Sequence, residues 1–217
     1  MRKFFIAMVM AIAILFAGVA TSVAPAQATS AAVTQATAQP ADINGYKFWS
    51  PSICVDGSAI NGSYYRVAYI AQQWNIRAQG ALALDYENDC AAAGYPPSRR
   101  MVIGTYTNAT DGKCLTITNA GTAGYNGFAR WTDGPGAYIN LYGSNCVYNQ
   151  TFRDHVVSNA IGYLLGLQIL NSSGYNSRVM NSTAWSWSNV PLPDINSGDT
   201  VFNIYSNVYC LPAGSTC

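Results

Sequence analysis

The sequence contains few of the side chains that usually carry polar chemistry. Charged residues make up 10% of its 217 residues, and His155 and Glu87 are the only histidine and the only glutamate. Arg2 and Lys3 are the only charged residues among the first 41, so the rest of the chain has 11 − 2 = 9 basic and 10 acidic residues, a net charge of −1. Such a chain has no electrostatic attraction to nucleic acid or anionic lipid. We expect neither as a partner.

Hydrophobic runs long enough to cross a bilayer are also lacking after the first residues. The apolar run from Phe4 to Val19 follows Arg2 and Lys3 and precedes small residues that end in an Ala-x-Ala site at Ala28. This pattern is typical of a cleaved signal peptide rather than of a membrane anchor, for which the run is short. We predict a signal peptide over 1–28, a flexible leader over 29–45 and one domain over 46–217. The mature protein is expected to be secreted, extracellular, free of the membrane and monomeric.

Cys-x-x-Cys pairs are absent, although six cysteines follow the predicted signal peptide. They are Cys54, Cys90, Cys114, Cys146, Cys210 and Cys217. In a secreted protein an even number of cysteines indicates disulfides, and six cysteines allow fifteen connectivities. A single histidine and no paired cysteines are a poor supply of zinc ligands. We therefore predict three structural disulfides, no metal and no other cofactor.

The hydrophobic periodicity predicts a single α+β domain. Strands are predicted at 46–49, 82–86, 101–106, 128–131 and 137–142. Helices are predicted at 64–74, at 151–166 and at 199–209. Thr151 and Asp154 have the spacing of a capping box at the start of the second helix. This order of elements indicates helices packed on a sheet.

The segment from Arg153 to Leu167 carries two glycines in an aliphatic frame. The frame consists of Val156, Ile161, Gly162, Leu165, Gly166 and Leu167, and Met180 follows in the run Ser-Arg-Val-Met. These residues resemble the zinc-binding helix of the matrixin-like metzincins, written V-x-x-H-E-x-G-H-x-L-G-L, and the Met-turn that follows it. The resemblance implies an α+β, matrixin-type fold with a mixed sheet, packed helices and the zinc-helix and Met-turn topology. His155, Gly162, Gly166 and Met180 are then the expected cleft and Met-turn residues.

The functional positions of that family are all occupied by other residues. Its three zinc-binding histidines correspond to Asn159, Tyr163 and Ile169, and its general-base glutamate corresponds to Ala160. Amide and phenol groups are poor zinc ligands, an alkyl group is none, and alanine cannot accept a proton from metal-bound water. The resemblance therefore implies no metal, no catalytic residues and a secreted pseudoprotease. Such a protein would bind a peptide or protein in the retained cleft by adding a strand to the sheet.

His155, Asn159 and Tyr163 are spaced i, i+4 and i+8 and so line one face of the predicted helix. Because the chain has no second histidine, this set is a weak one for a metal. We interpret His155 as a residue that hydrogen-bonds locally near the helix N-terminus.

Aromatic residues make up 12% of the chain and suggest a different function. Trp185 and Trp187 are the candidate binding residues of an extracellular carbohydrate or cell-surface module, because aromatic faces stack on sugar rings. A third hypothesis is glycoside hydrolysis by a carboxylate pair drawn from Asp111, Asp133 and Asp154. Asp111 and Asp133 each precede a glycine, so surface turns are the simpler explanation for both.

Overall fold

The computed structural model describes residues 46–110, 113–118, 121–122, 129–131, 134–142, 147, 149–170, 179–181 and 189–206. The strands in these ranges are β1 (Tyr46–Lys47), β2 (Ser52–Asp56), β3 (Ala83–Glu87), β4 (Arg100–Tyr106), β5 (Leu115–Thr118), β6 (Gly121–Thr122), β7 (Ala129–Trp131) and β8 (Gly136–Asn140). The helices are α1 (Val67–Arg77), α2 (Gln150–Leu164) and α3 (Ile195–Ser206). A short 3-10 helix covers Pro97–Arg99.

Five strands form one mixed sheet in the order β3–β2–β4–β8–β5. The first four are parallel to one another, and β5 lies antiparallel at the edge. Parallel neighbours need crossover connections, and α1 lies in the one that joins β2 to β3. A second sheet has the order β1–β7–β6. The predicted mixed sheet with packed helices is confirmed.

The hydrophobic core lies between the five-stranded sheet and the helices. Met101 and Ile103 of β4 and Ala137 and Ile139 of β8 are fully buried in it. Helix α2 contacts both strands and also α1. Ten of its fifteen residues are buried, so α2 is a central helix rather than a surface helix with one apolar face. Its polar side chains must therefore find partners inside the protein.

Sequence patterns miss two strands of this sheet. β2 directly follows Pro51 and lies after the strand predicted at 46–49. The carbonyl of Pro51 accepts the N–H of Ala83 at 2.7 Å and so starts the pairing of β2 with β3. β5 consists of four residues, Leu-Thr-Ile-Thr, and a run this short does not stand out as an alternating pattern.

The predicted helix boundaries also need correction. The N-cap of α2 is Asn149, whose Oδ1 accepts the N–H of Phe152 at 3.0 Å. Thr151 lies inside the helix, so the predicted capping box is wrong. Helix α3 begins before residue 199, because the Asp194 carboxylate accepts the N–H of Ser197 at 2.9 Å and provides the cap.

Cys54 and Cys90 form a disulfide that joins β2 to the loop after β3. Both residues are fully buried, and Cys114 is disulfide-bonded as well. Cys146, Cys210 and Cys217 lie outside the described residues. The Cys54–Cys90 bond fits the expectation of an extracellular protein.

None of the helices in the described ranges has the length and apolar character needed to cross a bilayer. The predicted signal peptide (1–28) and leader (29–45) lie outside these ranges. Both stay predictions.

Candidate functional site

Met180 packs directly against α2 at Gly162. A Cβ atom on Gly162 would lie 2.5 Å from Sδ of Met180 and 2.7 Å from Cζ2 of Trp74. Both distances are far shorter than a van der Waals contact, so any larger residue at position 162 would displace one of these side chains. Gly162 therefore allows the Met180 segment and α1 to approach the backbone of α2 closely.

Gly166 ends α2 and turns the chain sharply. Its φ is +109°, which side chains rarely adopt, and a Cβ atom there would lie 2.6 Å from the carbonyl oxygen of Tyr46. The N–H of Leu167 donates to the backbone carbonyl of Gly162 at 3.0 Å, and the N–H of Gly166 donates to the backbone carbonyl of Tyr163 at 3.0 Å. These two bonds are those of a Schellman motif. Gly166 is thus required both by its backbone conformation and by the close approach of β1.

The four positions that correspond to the zinc ligands and the general base have separate roles. Asn159 is 5% exposed and its Nδ2 donates to the carbonyl of Val179 at 3.1 Å. Ala160 is fully buried in the core, and Ile169 is partly buried against it. Tyr163 is half-buried; burial raises its pKa, and the neighbouring Tyr46 raises it further. In the described residues no group of three or more His, Cys, Asp or Glu side chains lies close enough to hold a metal ion.

His155 connects α2 to two segments that are distant in sequence. Its ring is fully buried, with Nδ1 2.7 Å from the carbonyl oxygen of Val190 and Nε2 3.1 Å from that of Asn181. Burial lowers the pKa of His155 to about 4, although the two backbone contacts oppose this effect. The prediction that His155 is hydrogen-bonded is right, but the carbonyl that accepts its single N–H, that of Val190 or that of Asn181, is not local.

Two further polar side chains strengthen this connection. Ser158 Oγ donates to the carbonyl of Pro191 at 2.9 Å. Asp194 accepts the N–H of Val179 at 2.8 Å through the carboxylate that also caps α3. Together with His155 and Asn159, they hold residues 179–181 and 189–191 against α2. Asp194 is not among the residues predicted from the sequence, although an Asp three residues before Ser197 is a recognisable N-cap signal.

The β3 edge of the main sheet is closed by a side chain. Oδ1 of Asn75 accepts the N–H of Leu84 at 2.7 Å, and Nδ2 of Asn75 donates to the carbonyl of Leu84 at 2.9 Å. The backbone N–H and C=O of Leu84 point away from β2. Those of its neighbour Ala83 point towards β2, where the Ala83 N–H donates to the carbonyl of Pro51, and the direction alternates along a strand. The amide of Asn75 thus occupies the outward backbone groups of Leu84, with which another strand would pair. We call β3 with Asn75 the closed edge.

The β5 edge has backbone groups that no described residue pairs with. The carbonyl of Cys114 accepts the N–H of Asn140, the residue that ends β8, at 3.0 Å. Because backbone groups alternate in direction along a strand, Leu115 and Ile117 direct their N–H and C=O groups away from β8. Within the described part of the chain neither residue has a hydrogen-bond partner on that side. We call this outer side of β5 the open edge.

The other candidate residues are only partly described. Asp154 is 5% exposed, accepts a bond from Nε2 of Gln150 at 2.7 Å and lies 3.4 Å from Arg66 in an ion pair, which is a structural arrangement. Trp185, Trp187, Asp111 and Asp133 lie outside the described residues. The carbohydrate-binding and carboxylate-pair hypotheses therefore stay predictions.

The described geometry provides a rigid central helix, two segments fastened to it and one sheet edge able to accept a strand. Comparison with protein-family models, with curated proteins and with solved structures finds no match for this chain.

Proposed function

We propose that this chain is a secreted, catalytically inactive, metzincin-like pseudoprotease that binds an extended peptide along the open edge. The observation that carries the binding part of the proposal is the pair of outward-facing residues Leu115 and Ile117, whose backbone groups have no partner in the described residues. Extended peptides commonly bind by adding a strand to such an edge.

The metzincin-like part is supported by the surroundings of α2. Met180 lies against the helix at Gly162, and Asn159, three residues earlier on the same helix, holds the carbonyl next to Met180. Gly166, another residue that the resemblance singles out, turns the chain sharply after the helix. Gly162 thus lies at the point where the later methionine packs, which the resemblance implies.

The residues at the substituted zinc-ligand and general-base positions lack the chemistry that catalysis needs. The Asn159 amide is buried and its Nδ2 donates to the carbonyl of Val179, and an amide oxygen is a poor zinc ligand. Ala160 lies in the core and has no group that could accept a proton from a bound water. Purified protein should contain no stoichiometric zinc and should leave peptide libraries uncut. Stoichiometric zinc with cleavage that EDTA abolishes would contradict this part of the proposal.

The binding part is tested by substituting Ile117 with proline. Selection from a random peptide display library should give peptides that bind the wild-type protein. Ile117→Pro removes one outward N–H and places a ring in the path of an added strand, while edge strands tolerate such a proline. We expect binding to weaken about tenfold or more, because a lost hydrogen bond is combined with a steric clash.

Ile117→Ala is the matched control, because it removes most of the same side chain but keeps the N–H group. It should bind the selected peptides more tightly than Ile117→Pro does. Peptide titrations followed by calorimetry measure both variants, and circular dichroism checks that each is folded. Equal binding by the two variants and the wild type, or a library that gives no binder, would refute binding at the open edge.

A further inference from the structure

The two faces of β5 differ in polarity. Leu115 and Ile117 are partly buried and pack against the hydrophobic core. Thr116 and Thr118 lie on the opposite face, where Thr116 Oγ1 donates to the hydroxyl of Tyr106 at 3.0 Å and Thr118 is exposed. β5 therefore has an apolar row on the core side and a hydroxyl row on the other side.

These two rows continue into the neighbouring strand. In the register of β5 with β8, Leu115 lies opposite Ile139 and Ile117 lies opposite Ala137, both of which are buried in the core. Thr116 lies opposite Tyr138 on the other face. None of these residues is charged, so an added strand would have no ionic partner along β5 itself.

A strand added to this edge must continue the same pleat. Residues that pair across two strands lie on the same face, and a slip of one residue moves every side chain to the other face. From the two rows we infer that the bound segment is an uncharged strand of alternating residues, with apolar side chains beside Leu115 and Ile117 and hydroxyl or amide side chains beside Thr116 and Thr118. This inference rests on the proposed binding at the open edge.

Two synthetic peptides of identical composition test the pattern. In one, valine and threonine alternate; in the other, the valines form one block and the threonines another; both carry a lysine at each end for solubility. Each matched cross-strand pair changes affinity by a factor of about 2 to 5. The alternating peptide should therefore bind about tenfold more tightly than the block peptide, and Ile117→Pro should weaken its binding.

The outcomes separate the pattern from the proposed function. Equal binding of both peptides, weakened equally by Ile117→Pro, would overturn the alternating pattern and leave binding at the open edge intact. Binding of both peptides that Ile117→Pro does not change would overturn both. Binding of neither peptide would also overturn the pattern, and the display selection then decides the proposed function separately.

Thr118→Lys gives a second measurement that does not disturb the core, because Thr118 is exposed. A variant of the alternating peptide with glutamate in place of a threonine should bind Thr118→Lys about 2 to 5 times more tightly than it binds the wild type. The same glutamate in place of a valine lies on the opposite face and should give no such gain. Equal gains from both peptides would contradict the assignment of the two rows.

Discussion

The two edges of the main sheet differ in whether their backbone is satisfied. At the closed edge the Asn75 side chain makes both hydrogen bonds that a further strand would make with Leu84. At the open edge Leu115 and Ile117 have no equivalent cover in the described residues. Unpaired edges invite association, and proteins usually block them. This protein covers Leu84 at one edge with a partly buried side chain, and the described residues provide no such cover at β5. This difference supports a use for the open edge.

The same contrast extends to the central helix. The buried polar side chains His155, Ser158 and Asn159 all have partners, and those partners are backbone carbonyls of residues 179–181 and 189–191. These two segments are held against α2, so a partner that binds between them and the helix would have to displace existing hydrogen bonds. At the open edge, the described residues make no hydrogen bonds to the outward groups of Leu115 and Ile117 that a partner would have to displace.

The largest effect on stability is expected from protonation of His155. Burial holds its pKa at about 4 in the folded protein, below the ordinary value of 6.5, so the unfolded chain binds a proton first as the pH falls. The contribution of neutral His155 is complete above pH 6.5 and is lost as the pH falls from 6.5 towards 4. The loss amounts to about 3 kcal/mol in the free energy of unfolding.

Urea unfolding measured across this pH range tests this prediction, with His155→Gln as the control because glutamine does not titrate. The difference in unfolding free energy between the wild type and His155→Gln should shrink or reverse towards acid pH. A constant difference from pH 7 to pH 4 would show that His155 keeps an ordinary pKa in the folded protein.

A smaller effect is expected when the closed edge is opened. Asn75→Ala leaves the N–H and C=O of Leu84, a residue only 4% exposed, without partners. We expect a loss of about 2 kcal/mol in the free energy of unfolding, because each unsatisfied buried group costs about 1 kcal/mol or more. Asn75→Asp keeps the acceptor and removes the donor, so its free energy of unfolding should lie between those of the wild type and Asn75→Ala.

Urea unfolding of the three proteins provides the measurement, and size-exclusion chromatography shows whether the opened edge now associates with other copies. A change of less than about 0.5 kcal/mol in Asn75→Ala, within the usual range of surface substitutions, would mean that Asn75 does not cover the edge.

Sequence patterns were sufficient for the long, strongly periodic elements. β4, β8 and α2 lie close to their predicted positions, and Gly162 and Gly166, both part of the resemblance, are each required by the geometry around α2. Glycine is unfavourable in a helix, so each indicated a constraint that could be recognised without the structure.

The parts that sequence patterns missed depend on contacts between distant residues. Asn75 meets Leu84, Asp194 meets Val179 and His155 meets Val190, across 9, 15 and 35 residues respectively. No local periodicity encodes such pairs. The two edges themselves were unpredictable for the same reason, since β5 is short and its position at the edge is set by its pairing with β8.

Amide hydrogen exchange, measured residue by residue with and without a peptide selected on the wild-type protein, tests the central claim most directly. Strand addition at the open edge predicts that the peptide slows exchange of the Leu115 and Ile117 amides, while the Leu84 amide, already bonded to Asn75, is unchanged. A peptide that binds without slowing exchange at Leu115 and Ile117 would contradict the account.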